Sequence, residues 1–160
     1  MPVRELIQLL AAQNVRYEVI PHVRAFTAQG TAALSHVSGN QMAKAVILKA
    51  DEKLVMAVVP ASRRVEVDVA RKAIGANTVA IASEAEFKDR FPGCETGAMP
   101  PFGQLYGMEI FIDESLSRCN EIVFNGGSHR EMVRISYEDF ARLAAGKVAH
   151  LSAELHAIAA

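Results

Sequence analysis

Tryptophan is absent from this sequence, cysteine occurs only twice, and neither sign of charge prevails, the formal net charge being −1. Each shortage excludes something. Two cysteines, Cys94 and Cys119, cannot build the disulfide framework of a small secreted domain, so a reducing, cytoplasmic setting is the simpler reading. Balanced charge gives no global field to draw in a polyanion, and any contact with nucleic acid must be local. No apolar stretch approaches the roughly 18 residues that span a bilayer, and Arg4, Glu5 and Gln8 interrupt the opening segment where a signal peptide would be apolar. No membrane partner is expected. His22, His36, His150 and His156 are scattered, and no Cys/His spacing suggests zinc. No glycine-rich loop has Walker or Rossmann spacing. Neither a metal nor a cofactor is implied.

What is present is a globular composition. The chain has 160 residues, 51% of them hydrophobic, about one domain with a sizeable core. Val3, Leu6, Ile7 and Leu10 recur at helical spacing, with Asn14 as a stop. Val15, Tyr17 and Val19 alternate with charged residues, as in a half-buried strand. Thr27 can cap a short helix through Leu34. Two uniformly apolar runs, Ala45–Leu48 and Leu54–Val59, flank the polar Asp51–Lys53, which predicts a central hairpin. Asp68 can cap a helix that stops at Gly75, and Thr78–Ala82 reads as a short strand. Ser83–Glu86 has capping-box spacing. Strands are expected at Met108–Ile112, Glu121–Phe124 and Glu131–Ile135, then a helix capped by Ser136 and ending near Gly146. The alanine-rich tail, 147–160, reads as an added helix. With no repeat and no linker, residues 1–160 form one α+β domain.

Lys44 stands at the mouth of the first apolar run, on the same strand face as Val46 and Leu48. One reading is a snorkelling lysine, its stem packed and its head in water. The other is an ammonium facing a partly dry pocket, where low dielectric strengthens its hold on a carbonyl oxygen, phosphate or carboxylate. The segment Pro92–Gly107 holds four glycines and three prolines, so it is neither helix nor central strand. Its apolar residues, Met99, Phe102, Leu105 and Tyr106, argue against disorder, and long ordered loops are commonly functional. Within it, Gly97, Ala98, Met99, Pro100 and Pro101 give a backbone that is pre-set at the prolines and open to close approach at the glycine. Gly127, Ser128 and His129 lie between two expected strands, where an imidazole can handle a proton near neutral pH or simply sit on a surface turn. Ser128 and His129 are adjacent, so they face opposite ways and make a poor nucleophile pair. A Cys94–His129 hydrolase is conceivable without any local signature. Arg63 and Arg64 could meet a phosphate, though solvated loop charges are the plainer reading.

Three separated stretches together resemble one family. "MAKAVILKADEKLVMAVVPASRRV" is similar to the paired central strands of the YbaK and prolyl-tRNA synthetase editing-domain family, "CETGAMPPFGQLYG" to its Gly-x-x-x-Pro loop, and "IVFNGGSHREMVRIS" to its C-terminal strand pair with a Gly-x-His element. The resemblance runs from about Leu6 to Leu143. It implies a mixed, mostly antiparallel and partly barrel-like sheet with helices packed around it. It also implies an aminoacyl-tRNA deacylase that removes a small wrong amino acid, of the Ala, Ser or Cys type, from tRNA, in the first instance tRNA for proline. Lys44 matches the family's essential lysine. Gly97 to Pro101 match the substrate-positioning loop, and Gly127, Ser128 and His129 the element near the pocket. In several relatives a polar residue follows the lysine; here it is Ala45. The implied partners are the acceptor end of an aminoacyl-tRNA and a prolyl-tRNA synthetase. A non-catalytic module that binds charged tRNA or a synthetase is the competing expectation.

Overall fold

The computed structural model describes residues 3–21 and 38–154. The helix anticipated over residues 27–34 lies outside them, as do His22, His36 and His156. Helix α1, Arg4–Ala12, buries Leu6 and Leu10 completely, and Asn14 leaves it with φ 54°, a left-handed turn that asparagine tolerates. Strand β1 is Glu18–Pro21, later than the alternation at Val15, Tyr17 and Val19 implies. Val15 is buried outside any strand, while Tyr17 and Val19 remain 39% and 37% exposed. The reason is position: β1 is an edge strand, and its inward residue is Ile20, packed against Met42, Val123 and Met132.

The apolar runs form the centre of the fold, as their uniform hydrophobicity requires. Strands β2 (Met42–Ala50) and β3 (Lys53–Pro60) make a hairpin, paired from Ala43↔Pro60 to Ala50↔Lys53. Then come β4 (Arg63–Val65), α2 (Val67–Ile74), β5 (Val79–Ile81) and α3 (Glu84–Phe87). Helix α2 starts after Glu66, not Asp68; Asp68 falls in its first turn, where its charge still favours the helix dipole. The Ser83–Glu86 capping box is formed, with Ser83 N donating to Glu86 Oε1 at 3.1 Å. Strands β6 (Ile110–Asp113), β7 (Glu121–Asn125) and β8 (Glu131–Ser136) follow, then α4 (Tyr137–Ala144), whose N-cap Ser136 accepts from Asp139 N at 3.1 Å.

Over residues 147–154 the tail is not the helix its alanines suggest, and the rest of it lies outside the described residues. Lys147–Ala149 is β9, a parallel edge strand on β6, and Ser152–Glu154 is β10, antiparallel to β4. Helix propensity is worth only tenths of a kcal/mol per residue. Here an open sheet edge and the buried Asp113, whose Oδ1 accepts from Leu151 N at 2.9 Å, override it.

The main sheet has eight strands. Seven follow the order β1-β8-β7-β2-β3-β6-β9, and β5 pairs with β2 off that path. The ladders β2–β7, β3–β6 and β6–β9 are parallel, and the others are antiparallel. The larger core lies on the face of Ala43, Ile47, Met56 and Val58, where α1, α4 and the segment around Phe102 cover it. Leu48, Val55, Ala57 and Val59 face the opposite way, toward α2 and Leu151.

Candidate active site at the open edge of the central strand

Strand β2 changes neighbours along one edge. At its start it pairs with β7 through Met42↔Val123 and Ala43↔Phe124. At its end it pairs with β5 through Leu48↔Ile81 to Ala50↔Val79, and Ala82 N donates to Ile47 O at 2.9 Å. Between these ladders, residues 44–46 have, among the described residues, a strand partner only on the β3 side. Burial follows the pairing: Met42, Ala43, Ile47 and Leu48 are buried, whereas Lys44, Ala45 and Val46 are partly exposed. A strand that is fully covered at both ends thus opens at its middle, and Lys44 stands at the start of the opening.

The irregular segment 92–107 is held by a clasp on the β7–β8 turn. Glu95 N donates to Gly127 O at 2.7 Å, and Gly127 N donates back to Ala98 O at 2.9 Å. His129 Nε2 meets Thr96 O at 2.8 Å. A carbonyl can only accept, so that ring nitrogen carries a proton. His129 is 1% exposed and acts as a strap on the loop. Gly127 has φ +110°, and a Cβ there would lie 2.5 Å from Val3 Cγ1, so the turn admits no side chain under the start of α1. Gly97 also has positive φ, +85°. It is exposed, and its N–H points at a weak acceptor, Met99 Sδ, at 3.2 Å. Ala98, Met99, Pro100 and Pro101 are buried, and Phe102 anchors them by edge contacts with Phe124 and Phe140 at 5.4 and 5.5 Å.

The parallel register joins the two halves. The ladder ends at Ala43↔Phe124, and the next residue on each strand, Lys44 and Asn125, points by alternation to the same face of the sheet. The faces are consistent: Met42 and Val123 pack in one cluster, Ala43 and Phe124 in another. Asn125 in turn is two residues from Gly127. The Gly97–Pro101 loop and the Gly127–His129 turn are thus joined where β7 ends, and Lys44 lies on β2, the strand that pairs with β7.

Lys44 is half-buried, and burial pushes its ammonium below the ordinary lysine value of 10.5. Among the described residues its ammonium has no ion pair and no hydrogen bond. Asn125, which the sequence marks only as part of a turn, is 5% exposed, and its Oδ1 accepts no hydrogen bond among the described residues. The signal that could have found it is a polar residue closing the apolar strand Ile122–Phe124.

Other candidates lie elsewhere or are engaged. Ser128 Oγ accepts from Arg130 N at 3.3 Å. Cys94 Sγ contacts the Tyr106 hydroxyl at 3.4 Å, and burial raises its thiol pKa, so it is a poor nucleophile at neutral pH. Arg63 is bound to Ser152 through Oγ at 2.6 Å and the carbonyl at 3.1 Å, and Arg64 to Glu66 at 3.1 Å. His150 faces Glu114 at 3.7 Å. A cleft of about 340 Å³ at the far end of the β2–β3 hairpin is lined by Asp51, Glu52, Ile74 and Gly75, with Asp51 already accepting from Asn77 N and Thr78 N. Among the described residues no group of three His, Cys, Asp or Glu is placed to hold a metal, and no helix is long and apolar enough to cross a membrane.

Comparison with known proteins gives a consistent picture. The family model of the aminoacyl-tRNA editing domain matches residues 22–143. The chain is 27% identical over 146 residues to the multifunctional Ser/Thr-tRNA deacylase ProXp-y of Escherichia coli, covering 88% of this chain and 87% of that one. It is 29% identical over 85 residues to a proline–tRNA ligase of Bacillus cereus, 53% of this chain but 15% of the ligase. A solved structure described as a proposed trans-editing enzyme for prolyl tRNA synthetase superposes with TM-score 0.80 at 20% identity, covering 94% of this chain and 96% of that one. Another, of the protein APE2540, gives TM-score 0.84 at 18% identity over 94% and 100%. At those identities the two structures establish the fold alone.

Proposed function

This chain belongs to the aminoacyl-tRNA editing domain family, hydrolases of the ester that joins an amino acid to tRNA, and from that premise we propose that it is a trans-editing deacylase for a small mischarged amino acid. Serine is the first candidate cargo, because it is shared by the small-residue expectation and by the name of the Escherichia coli relative. Threonine, alanine and cysteine come next. The tRNA is that for proline, presented by its acceptor end in the cytoplasm with prolyl-tRNA synthetase as partner. The similarity to the Bacillus cereus ligase supports that pairing.

The observation that carries this reading is the half-buried Lys44 ammonium, unpaired among the described residues, at a stretch of β2 whose outer edge no described strand covers. Ester hydrolysis builds negative charge on the carbonyl oxygen. A cation in a partly dry site, and a backbone N–H such as that of Gly97, can take up that charge without reorganising. The loop Gly97–Pro101, held by the clasp, positions the amino acid. Gly127 and Ser128 shape the turn beside it, and His129 keeps the loop in place through Thr96. No side chain here is poised as a nucleophile. Attack therefore falls to water, or to the neighbouring ribose hydroxyl of the terminal adenosine. A pocket defined by size rejects an extra methylene by only about 1–3 kcal/mol, so overlapping activity on several small residues is expected.

The test is hydrolysis of a panel of tRNAs charged with serine, threonine, alanine, cysteine and proline. The wild-type protein should deacylate the small residues and spare proline. Lys44→Ala should lower kcat by about 100–1,000-fold, the usual loss when one oxyanion donor is removed. Equal rates for the two proteins remove Lys44 from the chemistry. Tight binding of the panel without turnover makes the chain a binding module instead.

A further inference from the structure

Two groups in this site are chemically complementary and both lack a partner among the described residues. The Lys44 ammonium has three N–H donors and nothing to give them to. The Asn125 carboxamide, more than nine-tenths buried, has an acceptor oxygen with nothing to receive. A buried polar atom without a hydrogen bond is uncommon, because leaving it so is costly. The β2–β7 ladder ends at Ala43↔Phe124, so Lys44 and Asn125 are the next residue on each strand, and alternation points both to the face of Met42 and Val123. Around them that face is apolar, with Met42, Val123 and Met132 on one side and Val59, the β3 partner of Lys44, on the other. The ionised neighbours farther along β8 and β1, Arg134 and Glu18, are paired with each other at 3.3 Å.

We propose that Asn125 is the positioning residue for Lys44: when the aminoacyl end of the tRNA enters, the Lys44 ammonium turns onto Asn125 Oδ1 and is held there with its remaining N–H groups directed at the ester. This rests on the editing function assigned to the site. In the free protein the bond is open, as hydrogen bonds of active sites often are before the substrate closes them. A flexible four-carbon stem lets Lys44 find many positions in an open cleft. One rigid acceptor at the end of β7 selects the position that meets the carbonyl oxygen. The carboxamide suits the task because it accepts without adding charge, so the ammonium keeps its full attraction for the developing oxyanion.

The experiment is a cycle of Lys44→Ala and Asn125→Leu, read by kcat/KM on the best substrate of the panel and by Kd for a tRNA carrying the same amino acid through a non-hydrolysable amide. Asn125→Leu alone should lose roughly 10–100-fold in kcat/KM, the range for a hydrogen bond to a charged group. Its melting temperature should stay at or above the wild-type value, since an unpartnered polar atom has been removed. Asn125→Asp, which keeps an acceptor at the same place but adds a charge that offsets part of the ammonium's pull, should lose activity yet lose less than Asn125→Leu. In the Lys44→Ala background, Asn125→Leu should bind the amide-linked tRNA no more weakly than Lys44→Ala alone. Losses that multiply in the double variant, or an Asn125→Asp as impaired as Asn125→Leu, overturn the inference. A wild-type protein inactive on every charged tRNA overturns the proposed function; an active one with multiplying losses overturns the role of Asn125 alone.

Discussion

Lys44 shows most directly what a partly buried charge without a described partner does to stability. Its ammonium is partly withdrawn from water and has no counter-charge among the described residues, so burial lowers its pKa from 10.5. Below the depressed folded value both folded and unfolded chains hold the proton, and the folded chain bears the cost of desolvation. As pH rises through the depressed folded value, the native chain releases its proton while the unfolded chain keeps it up to 10.5, so this group's contribution to unfolding free energy increases with pH. Lys44→Met should therefore melt at or above the wild-type temperature at pH 7, each kcal/mol being worth about 2–4 °C in a chain of this size. The gap should narrow in melts recorded toward pH 10. A variant that melts clearly below wild type at pH 7 would show that the charge has a stabilising partner. The lysine was legible in the sequence because a charge at the head of an apolar run is conspicuous. Asn125 was not, because asparagine before two glycines reads as turn chemistry; only register and burial reveal it as a buried residue on the same face as Lys44.

At the level of elements, the site depends on a clasp built mainly of backbone. The exchange between Glu95, Ala98 and Gly127 and the strap from His129 to Thr96 fix an irregular loop without a ladder. Gly127→Ala puts a Cβ 2.5 Å from Val3 Cγ1 at a φ of +110°. The expected cost is about 1–3 kcal/mol, seen as a lower melting temperature, with KM raised because the loop is released. A variant with wild-type KM would separate the clasp from substrate positioning. Element types were readable wherever the pattern was long: the central hairpin, the capping box at Ser83 and the cap at Ser136 all appear where the spacing puts them. The sequence misled where tertiary context decides. Strand β1 is shifted toward Ile20 by its place at the sheet edge, and the tail from Lys147 pairs as strands because β6 and β4 offer edges that local propensity cannot register.

For the whole molecule, a net charge of −1 sets the terms of tRNA binding. A charge so near zero gives no global pull on a polyanion, so a local contact that releases few counterions is expected. The slope of log Kobs against log[salt] should be near −2, corresponding to roughly two neutralised phosphates. A slope near −6, measured by titrating tRNA binding from 50 to 200 mM salt, would reveal a wide electrostatic footprint instead. The fold class could be anticipated from the alternation of elements, whereas the order of strands could not, because three parallel ladders join segments far apart in the chain.

Because the loop is moored by main-chain atoms at Glu95 and Ala98, the side chains it displays are not what keeps it in place. Lineages of this architecture can exchange the residues lining the cavity, and so acquire new cargo, while the anchorage and the ammonium beside it stay put.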